Sequence, residues 1–365
     1  MVSGGDGAYC FFDKIDPSLS ITSIYYNQYY VFVDGNYQNS LNNWSSGTFV
    51  SPADLDYNKK ILFCNAVDYA GNHANQILRL SDLTGSGTGS YLTLNTASTV
   101  FFSALKYSPY SPAGKSTIFI GTESGRLFKV REAHSNSPVL TEIGSVNFPT
   151  ANLSSIAIGK SEDSLMVTFS NYGVSSVWQT NNGGQTWQDI EGNLPDMPVR
   201  WALYHPGNTH QALLATETGV WECVSLYQNP VQWVPVNTGM ANVRVDMLQM
   251  RESDNTVLAA THGRGLFTMI WDVSTGGTEK LSKAGSVYPN PTSGKIQVSA
   301  SLDQSGTVNL AVSDLQGKQV CDETLTVPAG YFNKLINLDG QPKGTYVVTL
   351  KNKSRTLISQ KVIVY

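Results

Sequence analysis

The sequence predicts an all-β chain in two parts: a long repeat region, then a small sandwich. Three observations carry this. The 365 residues are only 14% charged yet hold 32 Gly, 18 Tyr and seven Trp, a mix that suits short strands and tight turns more than long helices. Four segments of the first part line up with one another. The last part alternates apolar and polar residues at period two, the signature of half-buried strands.

The repeat comes first. The segments "STIFIGTESGRLFKV", "SLMVTFSNYGVSSVWQT", "QALLATETGVWECV" and "TVLAATHGRGLFTM" share one plan. Each is an apolar strand, a Thr or Ser, a short turn with Gly, and a second strand bearing an aromatic. The anchors Thr122, Ser170, Thr216 and Thr261 are spaced by 48, 46 and 45 residues. Another apolar strand and a polar turn precede each anchor strand. "SPADLDYNKKILFCNAVDYAGN" follows the scheme more loosely. Fixed-period self-similarity of this kind means stacked supersecondary units. Four strands per unit build a β-propeller. The expectation is a propeller over residues 1–272 with about five blades, a linker at 273–285 and a separate domain at 286–365.

One turn carries a resemblance. "TNNGGQTW", residues 180–187, resembles the Asp-box of neuraminidase-type repeats, with Thr180, Gly184, Thr186 and Trp187 matching and Asn182 in the Asp position. An Asn side chain still caps such a turn, and Trp187 is expected to plug between blades. "VFVDGNYQNS" at 31–40 resembles a decayed second copy. The family occurs in sialidases, xyloglucan hydrolases and sortilin-like receptors. The motif implies a fold and leaves the chemistry open.

In the tail, "KIQVSASL" puts Ile296, Val298, Ala300 and Leu302 on one face, and "TVNLAVSDL" does the same with Val308, Leu310 and Val312. Six or seven short strands with Gly and Pro turns indicate an Ig-like β-sandwich. "YPNPTSGKI", "DLQGKQV", "GTYVVTL" and the terminal "KVIVY" resemble the type A carboxy-terminal sorting domain of the type IX secretion system. The resemblance assigns Pro289, Asn290, Pro291, Gly317, Gly344, Tyr346 and Lys361 to its motifs. It implies that the secretion machinery is a partner. It also implies that the chain passes through the periplasm and is secreted or held at the outer cell surface. Such cargo carries an amino-terminal signal peptide, and "MVSGGDGAYCFF" has no basic segment followed by an apolar one. "SGGDGAYCFFDKIDPS" also resembles a mid-propeller strand, so the chain reads as a fragment of a longer protein with an incomplete propeller.

Charge separates the two parts. Residues 286–365 carry eight Lys/Arg against five Asp/Glu, while the first 285 carry 16 against 23. Neither has the dense basic patch of a nucleic-acid binder, and no apolar run is long enough to span a membrane as a helix. Cys10, Cys64, Cys223 and Cys321 are scattered without CxxC or zinc spacing, and read as buried small hydrophobes. No cofactor or metal motif is present.

Function is expected on the turns that follow the anchors, at one mouth of the propeller. "TESG", "SNYG", "TETG" and "THGRG" place Glu123, Asn171, Glu217, His262 and Arg264 there. A glycan- or protein-binding adhesion module fits such polar turns on an aromatic-rich scaffold. A glycoside hydrolase is the alternative, with Glu123 and Glu217 as the carboxylate pair. "DSL" at 163–165 resembles a bacterial O-glycosylation site with Ser164 as acceptor.

Overall fold

In the computed structural model all residues are described except 1–3, 44, 97–99, 238, 273–285, 303–304 and 353–355. The linker expected at 273–285 therefore lies outside the described residues. Among the described residues there is no helix, and hence none long and apolar enough to cross a membrane.

The first part is an array of antiparallel sheets, each a simple meander. The first holds Cys10–Phe12, Leu19–Ile24, Asn27–Val33 and Asn36–Asn43. The second holds Ala53–Asp56, Ile61–Asn65, Gln76–Ser81 and Thr88–Thr93. The third runs from Phe102 to Glu142, the fourth from Leu153 to Asp189, and the fifth from Val199 to Pro235, each with four strands. The sixth holds three strands, Val245–Arg251, Thr256–Thr261 and Gly265–Ile270. Six sheets thus stand where about five were expected. The extra one is the first, whose second turn, at Tyr25-Tyr26, lacks the Thr/Ser anchor used to find the others. Asp34-Gly35 joins its third and fourth strands, both residues with positive φ, 50° and 74°, as a tight primed hairpin requires.

The anchors occupy matching places. Thr122, Thr216 and Thr261 end the second strands of their sheets, and Ser170 follows directly after one. The threonine hydroxyls span the ensuing turn, while Ser170 Oγ accepts from Asn152 Nδ2 at 2.8 Å. Thr122 Oγ1 accepts from Arg126 N at 2.9 Å, Thr216 donates to Gly219 O at 2.9 Å and Thr261 to Gly265 O at 2.6 Å. The tight turn at Gly125 (φ 80°) leaves no room for a side chain, because a Cβ would lie 2.1 Å from Pro149 O.

Apolar residues of successive sheets interlock to make the cores. Leu19, Ile21 and Val31 meet Leu55, Leu62 and Leu78. Phe63 and Ile77 meet Phe102, Ile118 and Phe128. Phe119 and Leu127 meet Leu153 and Val167. Met166 and Val177 meet Val199, Ala212 and Trp221. Leu213 and Ala215 meet Val245, Leu248 and Trp271. Trp271 is locked by donating to Glu222 Oε1 at 2.7 Å, while its carbonyl contacts His205 Nε2 at 2.9 Å. The sixth sheet touches the first through the ion pair of Lys14 with Glu252, 2.5 Å. Its last strand leaves Leu266 and Ile270 about two-thirds exposed.

Two of the four cysteines depart from the sequence reading. Cys64 and Cys223 are buried, with burial pushing each thiol up to about 12. Cys10 is exposed and Cys321 half-buried. Cys10 sits in a strand whose alternation turns only Phe11 inward, so its side chain points away from the second sheet.

The tail is a sandwich of three plus four strands. One sheet holds Ser286–Tyr288, Lys295–Leu302 and Gly330–Asn337. The other holds Gly306–Asp314, Gln319–Val327, Gly344–Asn352 and Thr356–Val364. Ile296, Val298, Ala300 and Leu302 face Val308, Leu310, Val312, Val348 and Leu350 across the core, as period-two alternation requires.

Candidate functional site

The turns after the second strands put Glu123, Asn171, Glu217, His262 and Arg264 on four successive sheets. Their side chains are engaged very differently. Asn171 Oδ1 accepts from Asn152 N at 2.8 Å, closing its own sheet. Glu217 Oε2 accepts from Arg200 Nη2 at 2.7 Å, and the same Arg200 lies 3.9 Å from Asp246 of the next sheet. Asp246 also accepts from Arg244 at 2.6 Å and lies 3.6 Å from His262 Nδ1. Glu217 and His262 are thus parts of one charge network joining the fifth and sixth sheets. The key members Arg200, Arg244 and Asp246 stand at strand starts, where residue spacing gave no signal.

Glu123 and Arg264 differ from these. Both are exposed, and among the described residues neither side chain makes a hydrogen bond or ion pair. Gly263 and Gly265 flank Arg264 with φ of 83° and 77°, a conformation that favours glycine and projects the guanidinium outward.

Beside the Asn171 turn a cleft of about 630 Å³ opens between the fourth and fifth sheets, lined by Val174, Asp189, Glu191, Asp196 and Pro230 among others. Its acids serve the backbone. Asp196 accepts from Gly173 N at 2.6 Å, Glu191 from Ser176 N at 2.5 Å, and Asp189 from Glu191 N at 2.9 Å. Burial holds the Glu191 carboxyl above its ordinary range. These are turn caps rather than a catalytic pair.

The 180–187 turn lies between the third and fourth strands of its sheet, at the opposite end from the anchor turns. Thr180 Oγ1 donates to Asn182 Oδ1 at 2.9 Å and accepts from Gly184 N at 3.1 Å. Thr186 N donates to Asn182 Oδ1 at 2.9 Å. Trp187 donates to Ile143 O of the preceding sheet at 2.8 Å, with its ring 4.9 Å from Phe148. Ser164 is half-buried beside this turn, its hydroxyl 3.4 Å from Asn181 Oδ1.

In the tail, the motif residues of the two ends come together. Asn290 Nδ2 donates to Lys361 O at 2.7 Å, and its Oδ1 accepts from Ile363 N at 2.9 Å. Gln360 repeats the device with both backbone groups of Val287, each at 3.1 Å. Thr292 pairs with Val364 as a parallel bridge. Pro289 and Pro291 flank Asn290 in this clamp. Gly317 (φ 85°) turns the chain between two strands, where Asp314 Oδ1 accepts from Lys318 N at 2.9 Å. Gly344 opens the strand bearing Tyr346, whose buried side chain donates its hydroxyl proton to Pro342 O at 2.7 Å.

Comparison with known proteins fits this anatomy. No curated protein sequence matches the chain. Among solved structures it is similar to PorZ, a bacterial surface component of the type IX secretion system of Porphyromonas gingivalis, with TM-score 0.52 and 13% identity. That match covers 100% of this chain and 52% of PorZ, so the chain spans about half the length of that relative. A xyloglucanase from Xanthomonas campestris (TM-score 0.49, 13% identity, 74% of this chain and 45% of that one) and the WD40 propeller domain of Doa1 (TM-score 0.49, 11% identity, 95% and 90%) are also similar. At such identity the likeness to PorZ speaks to the fold alone, a propeller-like array of four-stranded sheets. Residues 286–365 match the family described as secretion system C-terminal sorting domain. The tail is therefore a sorting domain, and it marks the chain as cargo that the type IX system exports to the cell surface or beyond it.

Proposed function

We propose that the chain is a surface-delivered binding module. In this reading the sheet array engages a glycan or a surface protein, and the terminal sandwich serves only delivery. The observation that carries it is the contrast within the anchor turns. Arg264 stands free and exposed between two glycines while neighbouring charges are mutually satisfied. An unpaired guanidinium on a turn is suited to fork onto a carboxylate or phosphate of a partner. The carboxylates support binding over turnover. A hydrolase would use Glu123 with Glu217, but Glu217 is tied to Arg200 as in a structural ion pair.

Two experiments test this reading. Deletion of 286–365 from the protein in its native host should leave a folded passenger in the periplasm, and normal surface delivery of the truncated protein would reject the export role. Sugar release from a glycan panel, abolished by Glu217→Gln, would replace binding by hydrolysis.

A further inference from the structure

We infer that the ligand surface of the array extends onto an uncharged aromatic platform on the first two sheets, and that this platform takes a neutral polysaccharide. This deepens the binding reading and rests on it. The first observation is the distribution of charge. Between Asp16 and Asp54 the only charged residue is Asp34, and residues 83–105 contain none. These stretches supply the last three strands of the first sheet, the last strand of the second and the segments that follow them, and they are crowded with Asn, Gln, Ser, Thr and Tyr.

The second observation is what stands at the end of these sheets where the anchor turns lie. Tyr26 occupies the turn between Ile24 and Asn27 with φ 57°. A bulky residue rarely adopts that conformation, which glycine or asparagine would fill at lower cost. The turn does not need Tyr26. Nor does the core, since its ring is 36% exposed. Tyr26 N donates to Phe49 O at 2.9 Å, and its ring meets that of Phe49 edge-on at 6.0 Å. Phe49 is itself 43% exposed and stacks on Tyr25 at 5.8 Å.

The platform continues outward. Asn27 pairs with Asn43 across the sheet, and Asn43 Nδ2 donates to the Tyr91 hydroxyl of the second sheet at 2.9 Å. The Tyr91 ring, 37% exposed, lies flat on His73 at 4.3 Å. The nearest acid in this loop, Asp68, is occupied by the loop itself, accepting from Ala70 N and from Asn72 N and Nδ2. Aromatic faces bordered by amides and hydroxyls, without charge, match the apolar C–H faces and hydroxyls of a neutral sugar chain. A protein partner would more often be met by Arg and a charged rim.

The test is affinity electrophoresis of the full chain in native gels containing hydroxyethylcellulose, galactomannan or polygalacturonate, at low and high salt. Retardation by a neutral polymer, insensitive to salt, is expected. Tyr26→Gly and Phe49→Ser should each weaken it about three- to tenfold, while Arg131→Ala, at the other end of the third sheet, leaves it unchanged. Tyr26→Gly removes the ring but suits the turn, so its melting temperature should stay level or rise, and it remains readable should Phe49→Ser fail to fold. Wild-type retardation of a folded Tyr26→Gly would overturn the inference. So would retardation by polygalacturonate alone that salt and Arg264→Ala abolish, although glycan binding itself would then stand. No retardation in any gel would remove both the inference and the glycan reading.

Discussion

Asn290 and Ile363, 73 residues apart, are joined by a 2.9 Å bond from the Ile363 amide to the Asn290 side-chain oxygen. With the bond from Asn290 Nδ2 to Lys361 O, one amide satisfies two backbone groups of the last strand. The first and last motifs of the sorting domain are thereby one physical feature. Asn290→Ala is expected to cost roughly 1–3 kcal/mol, two bonds at about 0.5–1.5 each. Asn290→Asp keeps the acceptor but sets a carboxylate oxygen against Lys361 O, where two acceptors repel, so it should not recover the loss. Denaturant unfolding of the full chain, monitored by a probe in the tail, checks both. An Asn290→Ala variant as stable as the parent would show that the clamp is dispensable.

Arg79 is buried, with no acidic partner among the described residues. Its guanidinium donates to Ser135 O at 2.7 Å, Asn136 Oδ1 at 2.9 Å and Ser90 Oγ at 3.2 Å, tying the second sheet to the third. Burial holds its pKa below the usual arginine value. Arg79→Ala should lose roughly 2–3 kcal/mol, because charge-assisted bonds disappear and Ser135 O is left unpaired. Arg79→Met should recover the packing part of that loss. Thermal unfolding of the three proteins distinguishes the two contributions.

The two classes of charge in the anchor turns should separate on mutation. Arg200→Ala leaves Glu217 without its partner and weakens the link to Asp246, so the melting temperature should fall by a few degrees, corresponding to about 1 kcal/mol or less at this exposure. Arg264→Ala should move stability by under about 0.5 kcal/mol. A large fall for Arg264→Ala would mean that its guanidinium supports the fold rather than a ligand.

Acid should weaken one surface pair in a defined direction. Arg126 grips Glu142 with bonds of 2.9 and 2.8 Å and holds its carboxyl below the usual range. A lowered folded-state value means the pair stabilises fully above the unfolded pKa of about 4.3, and that this is lost as pH falls through the folded value. The pair is partly exposed, so a few tenths of a kcal/mol are expected. The stability difference between the parent and Glu142→Gln should be level above about pH 5 and close towards zero below it. A difference that grows in acid would contradict the assignment.

Much of the fold was legible because it rests on local chemistry. Thr122, Thr216 and Thr261 recur because a hydroxyl bridges the second turn of each sheet, with Ser170 at the same place in its own, and a repeat of that need leaves a period in the chain. The alternation from Ile296 to Leu302 and from Val308 to Val312 states which face is inward. The first sheet was harder to see, since its second turn, at Tyr26, meets the same backbone demand without a Thr or Ser. What only tertiary structure decided is which side chains are spent on one another. Glu123 and Glu217 look equivalent in sequence, yet Glu217 is neutralised by Arg200 and Glu123 is not. Asn171 looks like a ligand residue, yet its carbonyl caps Asn152. The clamp of Asn290 on Lys361 and Ile363, and the platform linking Phe49, Tyr26, Asn43 and Tyr91, join residues far apart along the chain. Strand pairing and sheet stacking set those distances, and they leave no local signature in the residue order.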